Sequence, residues 1–247
     1  MIRLIAMREL RSLLAMPSTW FVLAVLQLIL AWFFLARLEA FLEIQPQLAQ
    51  LANPPGVTLT VAAPLFYTAA LLLMMLVPMF TMRLIAEERR NQTLTLLLAA
   101  PLSGRHIVLG KFTGLLLFLL TIISSLPLMI YTLALGTQLD GGLLFANCIG
   151  LLLLTASFVA LGLYISALTT QPVIAAIGAL AVLVGLWLAD IGAPAADSPW
   201  HQLSPLYHFQ NFNAGLLDSR DAAYFLLFIA VFLLLTMKRL HNNRVYG

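Results

Sequence analysis

Of the 247 residues, 62% are apolar and only 9% charged, with thirteen basic side chains against ten acidic ones. So little charge cannot solvate a globule of this size, which excludes a water-soluble fold and leaves the lipid bilayer as the solvent. The single cysteine, Cys148, excludes an intrachain disulfide and a thiolate metal cluster.

Residues 1 to 15 read as an interfacial helix. Ile2, Ala6, Leu10, Leu13 and Leu14 share one face and Arg8, Arg11 and Ser12 lie opposite, although Arg3, Leu4 and Ile5 blur the pattern. Turned at Pro17 into the first span, such a helix acts as an elbow on the cytoplasmic leaflet. The alternative is a basic flank that only sets orientation. The stretch is no signal peptide, because the apolar run from Ser18 is too long and no small-residue cleavage site follows it.

A spanning helix needs about 20 mostly apolar residues. Six stretches qualify: Ser18 to Leu38, Val61 to Ile85, Ile107 to Leu135, Leu143 to Leu163, Val173 to Ala189 and Ala222 to Met237. The expected fold class is therefore all-α, a polytopic membrane protein with six transmembrane helices. Arg83 and Lys111 sit at water-facing span ends, where a long side chain can snorkel. Pro78 and Pro127 are expected to kink the second and third spans. No linker suggests a second domain, so residues 1–247 read as one transmembrane domain.

With both termini inside, eleven of the thirteen basic residues are cytoplasmic and only Arg37 and Arg220 lie outside, which sets the orientation by the positive-inside bias. Two outer connections are long. Glu39 to Thr60 ends in the turn signal Asn53-Pro54-Pro55-Gly56. The outer loop 190–221 is rich in proline and aromatic rings, among them Trp200, Tyr207, Phe209 and Phe212, which suit a segment at the headgroup level.

Residues 81 to 114 hold the densest charge in the chain. Glu87, Glu88, Arg89 and Arg90 precede a short apolar turn from Thr93 to Ala99, and Pro101 then stops any helix. Placed between two spans, this is a candidate docking element on the aqueous side. It contains no phosphate-binding loop: five residues separate Gly104 from Gly110, and Phe112 stands where a hydroxyl would bind magnesium. No ATPase, catalytic or cofactor-binding residue is assigned to the chain, and no metal ligand either. His201 and His208, with Asp197, lack the helical spacing that would present two imidazoles on one face, so they read as interfacial histidines.

Within the spans the polar groups are weak. Thr121, Ser124, Ser125, Thr155 and Ser157 can bond back to their own helices. Gln27 and Asn147 are the better candidates for interhelical contacts or a polar path. The missing midplane charge weighs against a stand-alone secondary transporter or an intramembrane enzyme. A membrane scaffold is the remaining alternative.

Two blocks of sequence resemble the ABC-2 type permease subunits of ATP-binding-cassette transporters, in the nitrous-oxide-reductase-accessory and gliding-motility-like branch. The first runs P-x-F-T-M-R-x-I-A-E-E-R from Pro78 to Arg89, then T-L-x-L-L-x-x-x-P from Thr93 to Pro101 and I-V-L-G-K-F from Ile107 to Phe112. The second is S-P-x-x-H-F-x-x-F from Ser204 to Phe212, followed by Gly215, Asp218, Asp221, Tyr224 and Phe225. The family pattern has glycine before the threonine and glutamate two residues after it, where this chain has Gln92 and Thr95.

The resemblance implies an exporter half in the inner membrane of a bacterium. It would pair with a second permease copy, identical or not, and with a cytoplasmic ATPase dimer that alone binds ATP and magnesium; an accessory membrane subunit can join. Residues 86–106 would form the cytoplasmic coupling loop. Its ATPase contacts would be Glu87, Glu88, Arg89, Arg90, Thr93, Leu94, Leu97 and Leu98.

Overall fold

The computed structural model describes residues 1–48, 56–92, 103–135, 137–192 and 199–246. All regular structure among them is helical: α1 (Ile2–Ala15), α2 (Pro17–Leu48), α3 (Thr58–Arg90), α4 (Gly104–Tyr131), α5 (Gly141–Leu168), α6 (Pro172–Ile191), α7 (Pro199–Leu203), α8 (Pro205–Asn213) and α9 (Ser219–Tyr246). Six of them, α2 to α6 and α9, are long and apolar enough to cross a membrane. They coincide with the six stretches expected from hydropathy.

Each span is longer than its apolar core. Where an outer loop is expected from Glu39, α2 continues to Leu48 and carries Glu39 and Glu43 on helix. Leu, Glu, Ala and Gln are strong helix formers, and nothing in this stretch breaks the ladder before Pro46. Likewise α9 runs past Met237 through Lys238 and Arg239.

The bundle is built around α5, which packs against α3, α4, α6, α8 and α9. In its most apolar stretch 67% of the residues are buried, against 17% for the peripheral α2. Close approach explains that centrality, because without a hydrophobic drive between helices in lipid, packing favours small residues at the crossings. Gly162 lies directly against Thr81 of α3, where any Cβ would collide with the threonine side chain. Asp140 starts α5 by accepting from the amides of Gly142 at 2.9 Å and Leu143 at 3.1 Å.

Residues 199–221 depart from the expected headgroup-level loop. Residues 199–213 form α7 and α8, and α8 turns its rings inward: Phe209 and Phe212 are buried against Gly150 of α5. Ser204 caps α8 by accepting from the Tyr207 amide. His208 Nδ1 meets Asp221 Oδ1 at 2.6 Å and its Nε2 meets the Gln202 carbonyl at 3.0 Å. The Tyr224 ring stacks on that imidazole at 3.9 Å, and Asn211 donates to the other Asp221 oxygen at 2.8 Å. His201 pairs with Asp190 at 2.6 Å. His208, Phe212, Asp221, Tyr224 and Phe225 of the second sequence block are thus drawn into one polar and aromatic knot, which interfacial hydropathy alone does not anticipate, while Asp218 stays exposed. Asp197 lies outside the described residues.

One irregularity positions everything at the opposite end. α3 widens to π geometry over Arg83–Glu87, which breaks the regular amide ladder inside a buried helix. Ser166 of α5, itself buried, repairs it. Its Oγ accepts from the amides of Ile85 at 3.3 Å and Ala86 at 3.0 Å and donates to the Met82 carbonyl at 3.2 Å. Replacing Ser166 with alanine removes the acceptor for two buried amides, at a cost of about 1–3 kcal/mol. The detergent-solubilised Ser166→Ala variant should therefore show a clearly lower unfolding midpoint. Ser124→Ala, at an exposed hydroxyl bonded to its own helix, should stay within about 0.5 kcal/mol of the parent. Equal midpoints for the two variants would refute the repair.

Candidate functional site

At the end of the bundle where α3 widens, the C-terminal turns of α3 and α9 meet the start of α4, the α5–α6 turn and the elbow α1. Eleven of the thirteen basic residues belong to these segments.

The elbow is held by geometry. α1 crosses α4 over Gly110 and Gly114: a Cβ on Gly110 would stand 2.6 Å from Ile5 Cβ, and one on Gly114 2.8 Å from Glu9 Cβ and 2.9 Å from the Ala6 carbonyl oxygen. The two glycines lie four residues apart on one face of α4 and open a groove for the α1 backbone. Ile5, which blurs the amphipathic pattern in sequence, is therefore a packing residue facing protein. Met16 ends α1 in an extended conformation and Pro17 begins α2.

Between the glycines sits Lys111. Its side chain is only 1% exposed, and Nζ lies 2.7 Å from Glu9 Oε1 on α1 and 2.7 Å from Glu88 Oε1 on α3. The snorkelling expected of this lysine does not occur, because close packing of α1 over Gly110 and Gly114 covers its route to water. An ammonium taken out of water costs several kcal/mol unless it is paired; two carboxylates supply the pairing here. The result is a three-way clamp joining the elbow, the end of the second span and the start of the third. A cavity of about 240 Å³ beside it is lined in part by Arg8, Ser12, Arg83, Glu87 and Asn91.

The four consecutive charges of the docking element separate around the helix. Glu87 and Glu88 face the clamp and its cavity, whereas Arg89 and Arg90 line a second cleft beside Thr170, Gln171 and Val173. A helix turns 100° per residue, so a four-residue charge run cannot present one surface. Gln92 follows at φ 56°, left-handed backbone that favours glycine. That is the position where the family pattern has its glycine. Thr93, Leu94, Leu97 and Leu98 lie outside the described residues.

Within the spans, Ser125 Oγ donates to Gln27 Oε1 at 3.0 Å and links α4 to α2, and Gln27 also lines a cavity of about 330 Å³ with Trp20 and Thr121. Asn147 is fully buried, and neither end of its amide has a hydrogen-bond partner among the described residues. Thr121, Ser124, Thr155 and Ser157 donate to carbonyls of their own helices, and Ser125 shares its one hydroxyl proton between Gln27 and the Ile122 carbonyl at 2.6 Å.

The model of the family described as "ABC-2 family transporter protein" matches residues 3–243, nearly the whole chain. The chain belongs to this family. It is accordingly a multi-pass membrane protein and the membrane-embedded permease component of an ABC transporter, a transport component without catalysis of its own, in a family that works with an ABC ATPase. No curated protein gives a significant match.

The clamp in this ABC-2 protein was legible only in part. Lys111 and Glu88 stand inside the first sequence block, but the pairing with Glu9 needs the fold. Lys111→Met keeps the stem and removes the charge, leaving two carboxylates facing one another. Removing one partner from a buried ion pair costs roughly 3–5 kcal/mol. The variant should lose thermal stability on that scale and expose α1 to trypsin at Arg8 and Arg11, with Glu9→Gln intermediate in both measurements. Parent-like trypsin resistance in Lys111→Met would show that the elbow is held by apolar packing alone.

Proposed function

We propose that the chain is the permease half of a bacterial inner-membrane exporter of the nitrous-oxide-reductase-accessory and gliding-motility-like branch. It works as a dimer with a second permease and couples to a separate cytoplasmic ATPase dimer, which alone holds ATP and magnesium. Both termini and the segment 86–106 face the cytoplasm; the outer segment 190–221 faces away. An accessory membrane subunit is compatible with this assembly.

The observation that carries the reading is the Lys111 clamp. The proposed coupling segment, Thr93 to Ala99, is attached to α3 on one side and α4 on the other, and the clamp ties both of these helices to α1. A displacement of that segment by a closing ATPase pair passes to α1, α3 and α4 together. In this reading Leu94, Leu97 and Leu98 seat in a groove of the ATPase and Thr93 begins the seated turn. Glu87, Glu88, Arg89 and Arg90 set its geometry from the flank. Gln27 and Asn147 belong to the path or to the contacts between moving helices.

Desolvated apolar anchors carry most of an interface's energy and rim charges much less. Leu97→Asp or Leu98→Asp places an unpaired carboxylate against the ATPase at a cost of several kcal/mol in order of magnitude. These variants should insert normally yet lose the co-purifying ATPase, while Arg90→Ala weakens the association only modestly. Full ATPase association and transport in both aspartate variants would remove this segment as the coupling element.

The orientation has its own test. In a Cys148→Ser background, a cysteine at Gln138 should react with an impermeant maleimide in intact cells, and one at His241 only after permeabilisation. The reverse pattern would invert the topology.

A further inference from the structure

The cleft beside Arg89 and Arg90 holds positive charge that the described part of the protein leaves uncompensated. It encloses about 560 Å³ and is lined by Arg89, Arg90, Gln92, Thr170, Gln171 and Val173, with Pro172 between the last two. Arg89 Nη2 is withdrawn from solvent and makes no hydrogen bond among the described residues. Arg239 of α9 is close enough to repel the same guanidinium. α6 starts at the cleft with no side-chain cap on its first amides, so the positive end of its dipole adds to the field.

The acidic side chains of this end cannot answer that charge. They are Glu9, Glu87 and Glu88; Glu9 and Glu88 hold Lys111, and Glu87 lines the other cavity. Residues 93–102 contain no acidic residue at all. No acidic side chain among the described residues lines the cleft, which leaves it open to an anion from outside. The surface leading away from the cleft indicates its other half: along α6, Val173, Ile174, Ile177 and Leu188 stand 63%, 53%, 63% and 56% exposed. An anionic group at the cleft is thus continuous with an apolar track running the length of a span. That is the shape of an amphiphile.

We propose that this cleft binds the phosphate headgroup of an anionic phospholipid, with its acyl chains along α6. Arg89 and Arg90 would hold the phosphate oxygens, Thr170 and Gln171 would donate from the turn, and the first amides of α6 would complete the cradle. Basic pockets between helix ends on the leaflet that carries anionic lipid are suited to such headgroups. The occupant bridges the end of α3 and the start of α6, two helices that no side-chain ion pair among the described residues joins at this end. The proposal stands apart from the ATPase reading, since its measurement needs no partner.

The test uses the full chain in nanodiscs of phosphatidylcholine doped with phosphatidylglycerol. Native mass spectrometry and the unfolding midpoint report retained lipid and its effect. Phosphatidylglycerol should be retained and should raise the midpoint, and Arg89→Gln and Arg90→Gln should each weaken retention by roughly fivefold, the worth of about 1 kcal/mol per basic group. Arg220→Gln, at the opposite end, should change nothing. Equal retention in the parent and in an Arg89→Gln, Arg90→Gln double variant would overturn the site. So would full stabilisation by inorganic phosphate alone, which would make the ligand a free anion. Loss of ATPase association in Arg89→Gln with lipid retention unchanged would make the cleft a protein contact and equally defeat the proposal.

Discussion

In hydrocarbon a peptide group without a partner costs several kcal/mol, and the architecture of this protein follows from where that constraint is strained and how it is met. α3 is the strained helix: it begins in π geometry at Thr58–Ala62, carries Pro78, and widens again at Arg83–Glu87. Both ends of the helix are tied to a neighbour, and at the Arg83–Glu87 widening the tie supplies an acceptor for its amides. Thr58 Oγ1 accepts from the Asp140 amide at 3.0 Å at one end, and Ser166 bonds Ile85, Ala86 and Met82 at the other. Both partners frame α5, with Asp140 at its N-cap and Ser166 in its last turn. The central helix is therefore central in polar terms as well as in packing, and the register of α3 against α5 is pinned at both ends of the bundle, with Gly162 against Thr81 allowing the close crossing between them.

That pinning gives the charged end its meaning. Because the widened turn is anchored by Ser166, Glu88 is delivered to Lys111 and Arg89 is turned toward the α5–α6 turn. A regular α-helix through Arg83–Glu87 would rotate the later side chains relative to their present places, since each residue inserted into a turn shifts those after it. The clamp and the cationic cleft are consequently two outcomes of one backbone device. Both lie at the end of the bundle next to the segment proposed above to dock on the ATPase.

Hydropathy read along the chain located the six spans because each is a run of apolar residues, a property independent of partners. The same one-dimensional reading placed Lys111 in water, since a lysine at a span end can snorkel; only the crossing of α1 over α4 covers it. Of the two glycines at that crossing, only Gly110 stands out in the sequence, through a spacing from Gly104 that does not make a phosphate loop. The informative spacing is that of Gly110 and Gly114, one face of a helix, and its significance depends on what lies across from it. The aromatic segment 199–213 differs from its hydropathy for a related reason. A short helix rich in rings has the same composition whether it lies at a headgroup layer or folds inward, and the choice is made by Gly150 and by the Asp221 carboxylate that receives His208 and Asn211.

Burial is distributed unevenly, and the unevenness separates two kinds of helix. α3 and α5 have 56% and 67% of their most apolar stretches buried, whereas α2, α6 and α9 have 17%, 22% and 22%. In water such bare apolar faces would be a fault; in a bilayer, lipid covers them at no hydrophobic cost, so they can be exchanged for protein contacts cheaply. The helices with the least internal packing are also the ones least committed to a single position within the chain. α2 is additionally tied at its start to the clamped elbow through Met16 and Pro17, and at its middle to α4 through Gln27 and Ser125. α2 is thus joined to the rest of the bundle by the elbow that Lys111 clamps and by the Gln27–Ser125 hydrogen bond to α4, besides its apolar contacts with α3.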